Sequence, residues 1–255
     1  MDPLVGQVLN PTYAMGTVAL SYVISFFGSL LALLCTRKMV RSDGSVDLAM
    51  LAGGAVALGG IGIWSMHFMG MVAYRLPVPV AYNLPLTVVS LVAAIVISGL
   101  ALYLAGGKRF NSKGWVMGSL LAGLGVCVMH YMGMYAMSLR AAMSLDWGIV
   151  AGSVAIAIIA AASALWLAFN LTELTHQVVA AAVMGVAVCS MHYVGMTAAT
   201  MVCTAPTPPG SLSIGGSNLG LGVFGTAGAV LIFILWVVTG RALDEPRKAV
   251  SPRHA

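Results

Sequence analysis

Of the 255 residues, 60% are hydrophobic and only 7% are charged, against roughly 25% charged in an ordinary soluble domain, so a water-facing surface is excluded and the natural solvent for this chain is a bilayer. The formal charge of +5 does not mark a nucleic-acid binder, because the basic residues lie between apolar runs rather than on one soluble face. The four cysteines, Cys35, Cys127, Cys189 and Cys203, form no CxxC pair, so zinc-ribbon and thioredoxin-type chemistry have no support.

The chain opens with a short external N-terminus, residues 1–13, which lacks the basic region of a cleavable signal. Seven apolar runs follow, at 15–35, 48–73, 85–105, 115–138, 147–169, 177–200 and 219–240. Each is about 20 residues or longer, enough to cross ~30 Å of hydrocarbon at 1.5 Å per residue. They are continuous rather than alternating, which predicts helices and an all-α, seven-span membrane domain over 14–240. The glycines at 53, 54, 59, 60 and 62 in the second run predict close helix packing. Residues 201–218, with Pro206, Pro208, Pro209 and Gly210, read as an uncharged external loop. Residues 241–255 read as a polar, disordered cytoplasmic tail, with no soluble domain attached at either end.

Lys and Arg set the orientation. On the side of the N-terminus lie Arg75 and Arg140. On the other lie Arg37, Lys38, Arg41, Lys108, Arg109, Lys113, Arg241, Arg247, Lys248 and Arg253. The bias predicts the N-terminus outside and the C-terminus in the cytoplasm.

Three segments repeat without gaps: Trp64-Ser65-Met66-His67-Phe68-Met69-Gly70-Met71, Cys127-Val128-Met129-His130-Tyr131-Met132-Gly133-Met134 and Cys189-Ser190-Met191-His192-Tyr193-Val194-Gly195-Met196. The histidines are spaced by 63 residues (130 − 67) and 62 (192 − 130), the length of two spans with their loops. A two-helix repeat preserves direction, so all three copies belong at one depth, toward the outer ends of the even-numbered helices. Six helices make three pairs; the odd one is either the first or the seventh.

At 100° per residue, His67, Gly70 and Met71 share a face, Met66 lies at its edge and Met69 points roughly away. The face positions never vary among the copies, whereas Met69 and Met132 give way to Val194. Eight of the 17 methionines fall within the three six-residue motifs. Imidazole one turn from a thioether suits a soft or borderline metal, copper above all. Candidate ligands are His67, Met71, His130, Met134, His192 and Met196, with Met66, Met129 and Met191 beside them. Cys127 and Cys189 are possible accessories, and Gly70, Gly133 and Gly195 are positions of close approach. No carboxylate or paired thiolate accompanies the histidines, which disfavours zinc, and magnesium and calcium lack oxygen ligands. The plain alternative is that the methionines fill a core and each histidine bonds a carbonyl; three intramembrane copies weigh against it. Phe68, Tyr131 and Tyr193 read as packing or interfacial aromatics, His176 and His254 as bland, and Arg75 and Arg140 as helix-end anchors.

Over about 14–240 these motifs resemble the bacterial MHYT domain family, from whose motif this chain departs in Met69, Met132 and Val194 where the family has Thr, and in Phe68 for Tyr. The resemblance implies a seven-helix sensor domain of the bacterial cytoplasmic (inner) membrane, with copper held near the outer face and O2, CO or NO as the signal. Members often carry cyclic-di-GMP synthesis or hydrolysis domains. With none in this chain, it is not expected to be an enzyme and needs a separate cytoplasmic or membrane signalling partner. Rival readings are a copper-handling or copper-transport protein, a haem protein with two axial histidines, and a membrane oxidase or desaturase. A transporter should have ligands at several depths, and an oxidase more His or carboxylate than is present.

Overall fold

Backbone groups inside hydrocarbon have no water to bond, so each apolar run satisfies itself as a helix. The computed structural model describes residues 3–106, 111–171, 173–204 and 212–249. Seven helices form: α1 (Met15–Arg37), α2 (Leu48–Ala73), α3 (Leu84–Gly106), α4 (Ser112–Tyr135), α5 (Trp147–Asn170), α6 (Leu174–Thr197) and α7 (Gly216–Ala249). All seven are long and apolar enough to span a bilayer. Polar side chains start four of them, Asn83 capping α3 through Leu86. Asp47 caps α2 through Ala49 and Met50, Asn111 caps α4 through Gly114, and Asp146 caps α5 through Gly148 and Ile149.

Helices α1 to α6 close into a ring in chain order, α6 returning to pack on α1. Helix α7 lies outside the ring, against α1 and α2. The odd helix of the repeat is therefore the last, and the pairs are α1–α2, α3–α4 and α5–α6. At the cytoplasmic end the Lys38 ammonium donates to the Val238 carbonyl of α7 at 3.1 Å, and Arg41 pairs with Asp47 at 2.9 Å.

Sequence and structure differ in three places. The first is the outer rim. It carries seven short strands: β1 (Thr12–Tyr13), β2 (Tyr74–Arg75), β3 (Ala81–Asn83), β4 (Met137–Ser138), β5 (Ala141–Leu145), β6 (Ala199–Cys203) and β7 (Ser213–Gly215). They pair antiparallel as β1–β2, β4–β3–β7 and β5–β6. Hydropathy extended the fourth and sixth spans to 138 and 200, but those residues leave the helix to pair with neighbouring connections. The same pairing structures both ends of the expected external loop, whose Pro206, Pro208, Pro209 and Gly210 lie outside the described residues. Second, α7 continues as helix through Ala249, where a disordered tail was expected; residues 250–255 lie outside the described residues.

The third difference is inside α2. From Val56 to Ser65 its turns widen into a π-helix. Gly59, Gly60 and Gly62, three of the five glycines expected to allow close packing, sit here, and Gly53 and Gly54 lie in the regular turns before it. The Cβ that Gly59 lacks would strike the Ala94 carbonyl of α3, and one on Gly28 of α1 would strike Gly62. Hydroxyls take up carbonyls of the widened turn: Ser25 donates to Gly62 and Ser65 to Gly60, each at 2.8 Å.

Candidate metal centre

The ring directs α2, α4 and α6 so that their motifs meet on its axis, one to two turns below the strands. His67, His130 and His192 are each 1% exposed. Their Nδ1 atoms form a triangle: 3.0 Å from His67 to His192, 3.1 Å from His130 to His67 and 3.3 Å from His192 to His130. The rings stand nearly perpendicular to one another, at 76°, 87° and 84°. Among the described residues these three histidines alone form a group with metal-ligand geometry.

The other ring nitrogen explains the glycines. Each Nε2 occupies the space where a Cβ would stand on the next motif helix: His67 against Gly133, His130 against Gly195 and His192 against Gly70. The contacts run α2 to α4, α4 to α6 and α6 to α2, so the three copies mesh as a closed cycle. None of the three Nε2 atoms has a hydrogen-bond partner.

Protons alone do not satisfy this arrangement. A neutral imidazole nitrogen is either a donor or an acceptor. Around a triangle at least one side must then join two donors or two acceptors, leaving a buried contact unbonded. A cation at the centre accepts all three lone pairs at once. The centre of the observed triangle is about 1.8 Å from each nitrogen (the side divided by √3), within a few tenths of an ångström of the ~2.0–2.1 Å imidazole–zinc distance. The donor set therefore fits one small metal ion.

The remaining expected residues divide. Met71, Met134 and Met196, and also Met66, Met129 and Met191, are each 1% exposed. Met69 turns away, as helical geometry requires, into a separate cluster with Ile24, Ile61 and Ala227. Cys127 packs with Ala157 and Met191, and Cys189 lines a shallow depression with Tyr22 and Tyr193. Neither cysteine joins the histidine group. Arg75 and Arg140 lie in the rim, and His176 is exposed at the start of α6. His254 lies outside the described residues.

The aromatics expected to pack do so, and what sequence reasoning missed is their serine partners. Each histidine packs edge-on against the residue after it, with centroids 4.9 Å apart for Phe68, 4.8 Å for Tyr131 and 4.7 Å for Tyr193. The Tyr131 hydroxyl bonds Ser153 of α5 at 2.8 Å, and that of Tyr193 bonds Ser21 of α1 at 2.9 Å. Serines in otherwise apolar helices, three in α1 and two in α5, were the available signal. Above Tyr193, Tyr13 stacks edge-on at 5.8 Å and meets Tyr74 at 5.6 Å. Burial, with Tyr13 adding to it, pushes the Tyr74 phenol up to about 12, so it stays uncharged.

The family model described as "Bacterial signalling protein N terminal repeat", MHYT, matches residues 60–118 and again 123–181. The chain belongs to the MHYT family. The two matches start 63 residues apart (123 − 60), the step that separates His67 from His130. The third MHYT motif, at 189–196, follows the second match. This MHYT chain is a multi-pass protein of the bacterial inner membrane.

It is 37% identical over 197 residues to the bifunctional diguanylate cyclase/cyclic di-GMP phosphodiesterase MucR of Pseudomonas aeruginosa, covering 75% of this chain and 29% of that protein. It is 31% identical over 210 residues to the signaling protein YkoW of Bacillus subtilis, covering 80% and 26%. To the cyclic di-GMP phosphodiesterase NbdA of Pseudomonas aeruginosa it is 33% identical over 214 residues, covering 81% and 27%. The chain thus spans under a third of the length of these relatives, and what it resembles in them is the MHYT portion. No solved structure matches it.

Proposed function

We propose that this MHYT domain is a sensor whose three histidines hold one copper ion through their Nδ1 atoms. The observation that carries the reading is the Nδ1 triangle, with sides of 3.0–3.3 Å at 1% exposure. Charge selects the ion. No carboxylate joins the group, and the cost of a bare charge in low dielectric rises with its square. A singly charged ion among neutral ligands therefore suits the site better than a divalent one. Copper(I) also accepts imidazole and thioether. The buried Met71, Met134 and Met196, one turn along each helix, are the soft ligands available beside the histidines.

Bound there, copper would supply a position for a diatomic gas (O2, CO or NO) or a redox change. The protein's part is to sense any movement of the imidazoles. Each Nε2 sits in the notch of the next helix, so a tilt of one ring pushes a neighbouring backbone rather than empty space. Helix α2 passes such a shift to α7, which packs on it. Helix α7 leads to the cytoplasmic end, where a signalling partner reads it; the cyclic-di-GMP enzymes among the relatives indicate the class of output. Haem fits less well, since two axial nitrogens on one iron lie about 4 Å apart, twice a ~2.0 Å bond, with a macrocycle between them.

The test is metal and haem analysis of the purified chain with an absorption spectrum. About one copper per chain is expected, and near none in the triple variant His67→Ala, His130→Ala, His192→Ala. Full copper content in that variant would overturn the assignment, and stoichiometric haem in the wild type would favour the rival.

A further inference from the structure

Close packing is the rule in a protein interior, yet an opening of about 50 Å³ lies within the ring of α1 to α6. Its wall is largely apolar, with alanines such as Ala32, Ala101, Ala157 and Ala161 the commonest residue and Met191 at one end; Thr36 and Ser98 are its only hydroxyl residues. A second opening of about 10 Å³ adjoins it, sharing Ile63, Ser98, Ala122 and Val126 and reaching Met129. Met129 and Met191 immediately precede His130 and His192. The two openings thus lie on the cytoplasmic side of the histidine layer, with motif methionines as their roof.

We infer that this chamber binds a small, neutral, apolar molecule of diatomic or noble-gas size. Volume sets the upper limit. A water-sized sphere needs roughly 10–15 Å³ on this scale, so the opening holds roughly three to five such spheres, room for a diatomic or a xenon atom and not for a lipid chain. The lining sets the chemistry. Alanine, leucine and methionine walls give water few of the two to four partners it needs, the Thr36 hydroxyl being already bonded to Leu33 and Ala168, and no charged side chain lines the wall for an ion. The supply is the bilayer, where such gases dissolve: Ala160, Ala161, Ala164 and Ala187 are only half-buried, so the chamber is one alanine wall from lipid. Met129 and Met191 take a role distinct from ligation, forming the partition between chamber and histidines. Use of the chamber as an antechamber for a sensed gas rests on the sensor reading above; its occupancy does not.

Xenon is the probe. Xenon-129 NMR on the full chain in lipid nanodiscs should show a saturable bound component in the wild type. Ala161→Phe, which fills the chamber, should lose that component while eluting as the wild type does, and Ala164→Leu provides a second, milder filling. Equal xenon signals from the wild type and both filled variants would overturn the chamber. Saturable xenon binding by a wild type that carries no copper would sink the metal reading and leave the chamber standing.

Discussion

Helix α2 and helices α4 and α6 carry the same motif on different backbones. In α4 and α6 the motif ends a regular α-helix, a cysteine stands three residues before the histidine, and a tyrosine after it reaches a serine on an adjacent helix. In α2 the motif follows a π-helical stretch. Trp64 replaces the cysteine and donates to Ser90 at 2.9 Å, and Phe68 packs on Trp64 and Tyr82. Only α2 among the three is also covered by α7. The parts that touch the centre, His, Gly and the buried Met, are alike in all three. The parts that face outward from it are not. Threefold sameness at the centre is what one shared ion would require, and the largest departures around it, the π-helical turns, Trp64 and Phe68, lie on the helix on which the leftover helix packs. On the sensor reading proposed above, the π-helical α2 is the helix through which a change at the centre would leave it.

The largest expected effect tests the sameness. Gly70→Ala, Gly133→Ala and Gly195→Ala each put a methyl where a histidine Nε2 lies, and each should weaken copper binding on the order of 10- to 100-fold, the scale of disturbed ligand supports. Copper titration of the three variants reads this. A much milder loss at Gly70 alone would show that the looser α2 backbone absorbs the intrusion, sharpening the contrast. No loss at any of them would break the meshed-ring account.

A smaller effect separates face from string. Met71→Val and Met134→Val each remove a thioether from the histidine side and should cost on the order of 10-fold in copper affinity. Met69→Val and Met132→Val should leave it nearly unchanged, since Met69 packs against Ile24, Ile61 and Ala227 instead. Equal losses at Met69 and Met71 would mean that ligands come from more than one face of α2.

The smallest effect concerns the supports. Tyr131→Phe and Tyr193→Phe convert α4 and α6 to the α2 pattern, removing hydroxyl bonds of 2.8 and 2.9 Å to Ser153 and Ser21. Interhelical bonds of this kind are worth about 0.6 kcal/mol, so a thermal midpoint lower by a few degrees is expected, with copper content kept. Loss of copper in either variant would make the tyrosines part of the centre rather than its frame.

The sequence by itself determined the spans, the repeat and the faces. These are local properties: about 20 apolar residues make a span wherever they occur, and 100° per residue puts His67, Gly70 and Met71 together before any helix meets another. Hence Met69 was separable from Met71 on paper, and the glycines were recognisable as places of close approach. What they approach was not legible. That His67 fills the notch of Gly133, while Gly70 receives His192, depends on the direction in which six helices close a ring, and residues more than 60 positions apart carry no local trace of it. The tertiary structure also decided that α7, not α1, stands outside the repeat, because only packing tells an inner helix from an outer one of equal hydropathy. The same holds for the π-helical turns of α2, set by Gly28, Ala94 and Ser25 from two other helices, and for the rim strands, whose partners lie in other connections. Cys127 and Cys189 shared the histidine face by angle, yet the ring turned one toward Ala157 and the other toward the depression beside Tyr193. Angle on a helix is fixed by its own sequence, whereas distance to a common centre is fixed by the other helices.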